Sequence, residues 1–159
     1  MLHLKYAYLR SLCALFIGLI AMTSGLAQTA PLIGSTLTAS EMETAKTKTQ
    51  IQDGKRVLWV LSTGRSSSGP LTMLMNEQGV VGRSANEVVI ANSPTEQTKL
   101  RITSYLSKTV SVDYVDNMNI TVLRFSAIAD AAKAVAELRT AMPDARVSLP
   151  VTYSVMRAK

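Results

Sequence analysis

The sequence is poor in the side chains that most catalytic and metal sites use. Its 159 residues include a single cysteine, Cys13, and a single histidine, His3, both near the amino terminus. A Ser-His-Asp or Cys-His unit needs an imidazole or a thiol, and zinc sites are built chiefly from the same two residue types. If the amino-terminal segment is removed on export, both chemistries are excluded. No disulfide can then form, so stability must come from a packed core. Aromatic residues make up only 5% of the chain, with one Trp. No Lys/Arg run is longer than the Lys55–Arg56 pair, so the clustered cations and stacking rings of a nucleic-acid groove are missing and no nucleic-acid partner is expected.

The amino terminus carries a targeting pattern. "MLHLKYAYLR" holds Lys5 and Arg10 and no acid, "SLCALFIGLIAM" is apolar, and "SGLAQ" places Gly25 and Ala27 at the two positions a signal peptidase reads. The apolar run is shorter than the ~20 residues of a spanning helix. Cys13 lies at the start of that run without a lipoprotein box. The expectation is a cleaved signal peptide over 1–27, a periplasmic or secreted product, and no stable membrane anchor after cleavage. Cleavage after Ala27 takes Lys5 and Arg10, so 17 Lys+Arg fall to 15 against 11 Asp+Glu, a net charge of +4.

Residues 28–56 are rich in Thr, Ser, Ala and Lys and read as a flexible leader or linker, with a thin helical stripe over "SEMETAKTKTQIQ". Residues 57–85 read as an extra strand, "RVLWVLS", and a Ser/Gly loop, "TGRSSSGP". Gly64 and Gly69 have the spacing of a phosphate loop, but Pro70 and Leu71 stand where its Lys and Ser/Thr belong. Ser66–Ser68 with Lys55 would be the raw material of a Ser-Lys dyad, with nothing to position it. "LTMLMNEQGVVGRS" suggests a short helix ending at Gly79. Met73, Met75, Met118 and Met142 read as gap-filling or turn residues.

From Asn86 the pattern sharpens. "EVVIA" is a strand, and "SPTEQTKLRITSYL" opens a helix with Ser93 as N-cap, Pro94 at the first position and Glu96 completing a capping box. "TVSVDYV" and "ITVLRF" form a hairpin about "DNMN", where Asp113 and Asp116 read as turn formers and solvated charges. After Ser126, "AIADAAKAVAELRTAM" lines up Ile128, Ala131, Ala132, Val135, Leu138 and Met142, and Pro143 stops it. "RVSLPVTY" alternates as a last strand, with Pro150 tolerable only at a sheet edge. The order β-α-β-β-α-β predicts an α+β ferredoxin-like sandwich, two helices on one face of an antiparallel sheet, with an N-terminal extension.

That order, with the run "AVAELRTAMPDARVSLPVTYSV", resembles the propeptides and propeptide-like inhibitors of subtilisin-type serine proteases over roughly residues 86–155. Leu138, Arg139, Pro143, Pro150 and Tyr153 match the family pattern. Leu149 stands where the family has Glu, the first proline lies one residue further from the strand, and two residues rather than one separate Pro150 from Tyr153. No protease follows Lys159, so the resemblance implies a non-enzymatic inhibitor and folding chaperone acting in trans on a subtilisin-like serine protease, a monomer when free and without cofactor or metal. The tail Tyr153, Ser154, Val155, Met156, Arg157, Ala158 and Lys159, of which 156–159 extend past the domain, would occupy the substrate cleft as an added strand. Arg146, Ser148, Pro150, Thr152, Thr109, Ser111 and Asp113 would form the sheet face that docks. The alternative is a small exported ferredoxin-like domain with a structural or envelope-assembly role and no protease partner.

Overall fold

The computed structural model describes residues 31–154. Within them the chain is α+β, with two four-stranded antiparallel sheets and three α-helices. The first sheet is a meander of β1 (Gln50–Asp53), β2 (Arg56–Ser66), β3 (Gly69–Met75) and β4 (Val81–Ser84) in chain order. Gly54, at φ 63°, makes the β1–β2 turn that a side chain would strain. α1 (Ala39–Lys46) precedes this sheet. Its capping box is closed by Thr38, whose hydroxyl accepts from the Glu41 amide while the Glu41 carboxylate accepts from the Thr38 amide at 2.8 Å. The Thr38 hydroxyl also donates to that carboxylate at 2.7 Å, and this bond foremost, with the backbone one, holds the Glu41 carboxyl below its usual range.

The second sheet contains β5 (Glu87–Ala91), β6 (Thr109–Val115), β7 (Ile120–Phe125) and β8 (Arg146–Ser148) in the order β6-β7-β5-β8. α2 (Thr95–Ile102) links β5 to β6, and α3 (Ile128–Ala141) links β7 to β8. Period-2 patterning turns Val88, Ile90, Leu123 and Phe125 inward, where they meet Ile128, Ala131, Val135 and Leu138 of α3. Ile51, Leu58 and Leu74 of the first sheet belong to the same core. Each large side chain fully buried there contributes about 2 kcal/mol of hydrophobic stabilisation.

Asn86 joins the two sheets. It sits at φ 56° between β4 and β5, its Oδ1 accepts from Thr72 Oγ1 at 2.7 Å, and its Nδ2 donates to the Ser126 carbonyl at 3.3 Å. Its backbone carbonyl accepts from the Phe125 amide at 2.9 Å. One buried side chain thus ties β3 to the end of β7 at the bend, and a left-handed backbone is one that Asn adopts more readily than most residues.

Several sequence expectations are corrected. From residue 31 on, the segment read as a flexible leader carries α1, which overlaps the helical stripe expected over 40–52, and β1, which belongs to the first sheet. The Ser/Gly loop is largely strand, with β2 running to Ser66 and β3 starting at Gly69. The short helix expected to end at Gly79 is absent, and 71–84 are instead most of β3 and all of β4, joined by a turn in which Asn76 Oδ1 accepts from the Gln78 and Val80 amides at 3.0 and 2.9 Å. Ser93 does not cap α2, because its hydroxyl accepts from Thr98 Oγ1 at 2.9 Å, and Pro94 takes the cap position without a side-chain bond. Ala127, not Ser126, precedes α3. The last strand in the second sheet is three residues long rather than eight.

Candidate functional site

The residues expected to dock a partner are placed by the register of the second sheet. Ser148 of β8 pairs with Val89, Val89 with Val122 and Val122 with Asp113, giving one row across four strands. Arg146, Ala91, Ile120 and Val115 form the next row, and Glu87, Arg124 and Ser111 a third. These positions alternate with the inward residues and so share the outer face. Arg146, Ser148, Ser111 and Asp113 are therefore brought together. Among them lie half-buried Val89, Val122 and Ile120, all outside the core cluster. Arg124 donates from Nε to Glu87 at 3.0 Å and closes one end of the face with a cross-strand ion pair. Ser111 Oγ is buried without a hydrogen-bond partner among the described residues.

Thr109 does not join this face. A bulge between Thr109 and Ser111 leaves Thr109 opposite Phe125, whose side chain is in the core. Pro150 and Thr152 are exposed but lie past the end of β8.

The chain beyond β8 changes partners. Leu149 is buried, and Thr152 then pairs with Arg83 of β4, donating to its carbonyl at 2.8 Å and accepting from its amide at 2.9 Å. The outer edge of β4 is shared with the amino-terminal segment, where the Gly34 amide donates to Val81 at 2.7 Å and the Leu37 amide to Gly79 at 3.0 Å. Gly82 lies under Val151 and Tyr153, with no room for a side chain. Burial raises the Tyr153 phenol above its usual pKa, an effect that nearby Arg56 opposes and Asp53 reinforces. Tyr153 and Ser154 are thus placed at the first sheet, while Val155, Met156, Arg157, Ala158 and Lys159 lie outside the described residues.

A buried acid anchors the same region. Asp53 has no exposed side-chain surface and is ion-paired to Arg56 and to Arg139, whose Nη2 lies 2.7 Å from Oδ1 but out of line for a good hydrogen bond. Arg139 Nε donates to the Val147 carbonyl at 2.9 Å, and Arg56 reaches the Leu149 carbonyl at 3.5 Å. The carboxylate orients two guanidiniums that hold the exit of β8. Leu138 and Arg139, singled out in the sequence, therefore serve as core residue and clamp.

Other candidate chemistry is dispersed. Ser66 and Ser68 hydroxyls are 2.9 Å apart at the tip of the β2–β3 hairpin, while Lys55 lies at the opposite end of β2, roughly 35 Å away along an extended strand. Gly64 and Gly69 face each other's strands across that hairpin, with no helix following. A groove of about 560 Å³ runs between the amino-terminal segment, α1 and β2, lined in part by Pro31, Thr36, Thr44, Lys48 and Leu61. Its Lys48 ammonium is engaged by the Leu61 carbonyl at 3.1 Å. Among the described residues no group of three or more His, Cys, Asp or Glu side chains is placed to hold a metal ion, and no helix is long and apolar enough to cross a membrane.

Sequence reasoning missed Glu87, Val89, Ile120, Val122 and Arg124 as members of the outer face. The signal was present: "EVVIA" and "ITVLRF" carry apolar residues at both parities, which marks strands with apolar side chains on two faces. Comparison with protein-family models, curated proteins and solved structures finds no match to this chain.

Proposed function

We propose that this protein is an exported protein-binding module that inhibits, and assists the folding of, a subtilisin-like serine protease in trans. The observation that supports the reading is the second sheet: elements β5-α2-β6-β7-α3-β8 in the order β6-β7-β5-β8, which we read as ferredoxin-like, with the helix α3 on one face and a half-exposed face opposite. That outer face combines an apolar centre, Val89, Ile120 and Val122, with charged neighbours Asp113, Arg146 and the Glu87–Arg124 pair. Protein interfaces use the same composition, an apolar middle with a polar rim. The five residues after Ser154 reach about 17 Å when extended, enough to lay a short product-like strand in a cleft. Binding to a near-native protease would also favour its folded state by mass action.

The test is titration of a subtilisin-type protease with the protein recovered after export. Nanomolar inhibition that is lost on deleting residues 154–159, and weakened at least tenfold by Val122→Glu, is expected. Absence of both inhibition and complex formation at micromolar concentration overturns the reading.

A second reading is favoured by one observation. Thr152 is hydrogen-bonded into the first sheet, which shortens the free tail and suits an envelope-assembly module whose outer face binds a structural partner. Retention of that binding after tail deletion, with loss on Val122→Glu, would select it.

A further inference from the structure

The edge of the second sheet at β6 carries most of the large apolar side chains that the described fold leaves exposed. Val110 is 59% exposed, Met118 60% and Leu106 44%, with Tyr114 and Val115 close behind. β6 lies at the end of the strand order, so its outer N–H and C=O groups have no strand partner. It contains no proline, glycine or lysine, the residues that usually guard an open edge. Its protective features are the exposed Asp113 and the bulge at Val110, after which Ser111–Val115 pair regularly with β7.

The order of side chains along this edge is self-complementary. In an antiparallel pairing of two copies about Val112, Val110 stands across from Tyr114 of the second copy, and Ser111 across from Asp113 of the second copy. Ser111, whose hydroxyl is without a partner among the described residues, gains an acceptor. Just past the strand, in the flanking 3-10 turns, exposed Lys108 faces Asp116 of the second copy; neither has an ion-pair partner among the described residues of its own chain, and Asp116 Oδ1 accepts from Thr95 Oγ1 at 2.6 Å. Shifting the centre by one residue to Asp113 would set that carboxylate against itself, which is repulsive. A two-fold axis generates both Lys108–Asp116 pairs at once, as an isologous interface requires.

We propose that the protein self-associates through β6, forming a symmetric dimer in which the second sheets of two copies join into one continuous eight-stranded sheet centred on Val112. This replaces the monomer expected from the sequence. It requires no protease partner, although Ser111 and Asp113 contribute both to this edge and to the outer face.

Sedimentation equilibrium on the protein recovered after export tests it. A dimer is expected at about 100 μM, and Val112→Pro, which removes an edge N–H, should render it monomeric. Lys108→Glu and Asp116→Lys should each weaken association roughly tenfold through like-charge contacts. An equimolar mixture of the two single variants should recover it, because each then meets its opposite charge. A wild-type protein that remains monomeric at that concentration overturns the proposal. So do charge variants that associate as tightly as wild type, or a mixture that fails to recover. Circular dichroism of each variant separates loss of pairing from loss of fold.

Discussion

Replacing Gly82 with alanine adds a methyl group where the fold has packed two side chains. An added Cβ falls 2.7 Å from Val151 Cγ1 and 2.8 Å from the Tyr153 ring, well inside van der Waals contact. Keeping the segment in place means overpacking, which costs about 1–3 kcal/mol. Releasing it forfeits the two Arg83–Thr152 backbone bonds of 2.8 and 2.9 Å, about 1 kcal/mol net each, together with the half-buried bodies of Val151 and Tyr153. The strain, about 2 kcal/mol, is relieved on release, and release is open because the segment is peripheral. Amide exchange measured by NMR should therefore accelerate roughly 30-fold at Thr152, with the core amides of β5 and β7 much less affected. The Tyr153 phenol, held above its usual pKa chiefly by burial, should titrate closer to 10. Unchanged exchange at Thr152 with an unchanged phenol titration would refute the packing argument. The variant also bears on the protease reading, because a tail freed from β4 should inhibit more strongly if cleft occupancy requires release.

Three further outcomes follow from buried or paired groups. Asn86→Ala should destabilise by about 3 kcal/mol in urea unfolding, through two lost hydrogen bonds and a left-handed backbone, while Asn86→Gly should recover only the backbone part. Asp53→Asn should cost about 2 kcal/mol, less than for a fully buried pair because Arg56 and Arg139 retain access to water; a loss too small to resolve in urea unfolding would show that the clamp on β8 does not depend on charge. Burial, reinforced by its bond to Glu137 at 2.8 Å, raises the Tyr105 phenol to about 12. The folded state then keeps this proton to higher pH than the unfolded chain, so the associated stability is present below pH 10 and is lost as pH rises toward 12. Tyr105→Phe should abolish the last step in a spectrophotometric titration.

The second sheet was legible because its patterns are local. The alternation in "TVSVDYV" and "ITVLRF", the turn between them and the apolar stripe of α3 each lie within one stretch, and β5, β6, β7 and α3 form where those patterns stand. The first sheet was legible only in part: the strand expected at "RVLWVLS" stands as the start of β2, but its partners do not follow from their own sequence. Leu and Met in β3 favour helix intrinsically, and only pairing with β2 and β4 makes them strand. Alternation over 146–153 persists in the burial of Val147 and Leu149, yet a period of two says which residues face inward and not which strand receives them. The transfer from β5 to β4 depends on a partner some seventy residues earlier in the chain. The docking residues divide on the same line: Arg146, Ser148, Ser111 and Asp113 follow strand parity, whereas Thr109 is displaced by a bulge that parity does not announce.

The sharing of the β4 ledge has a topological consequence. An added Cβ at Gly34 would fall 2.6 Å from the Tyr153 carbonyl oxygen, so the earliest and latest described portions of this fold are neighbours in space. A short linker could stitch them together and new ends could be cut at the solvent-exposed hairpin tip, Ser67–Ser68, without rerouting any strand. The order in which the polypeptide is written is thus separable from the shape it encodes, and anything fused ahead of Gly34 would sit beside the carboxyl-terminal segment rather than at the far end of the molecule.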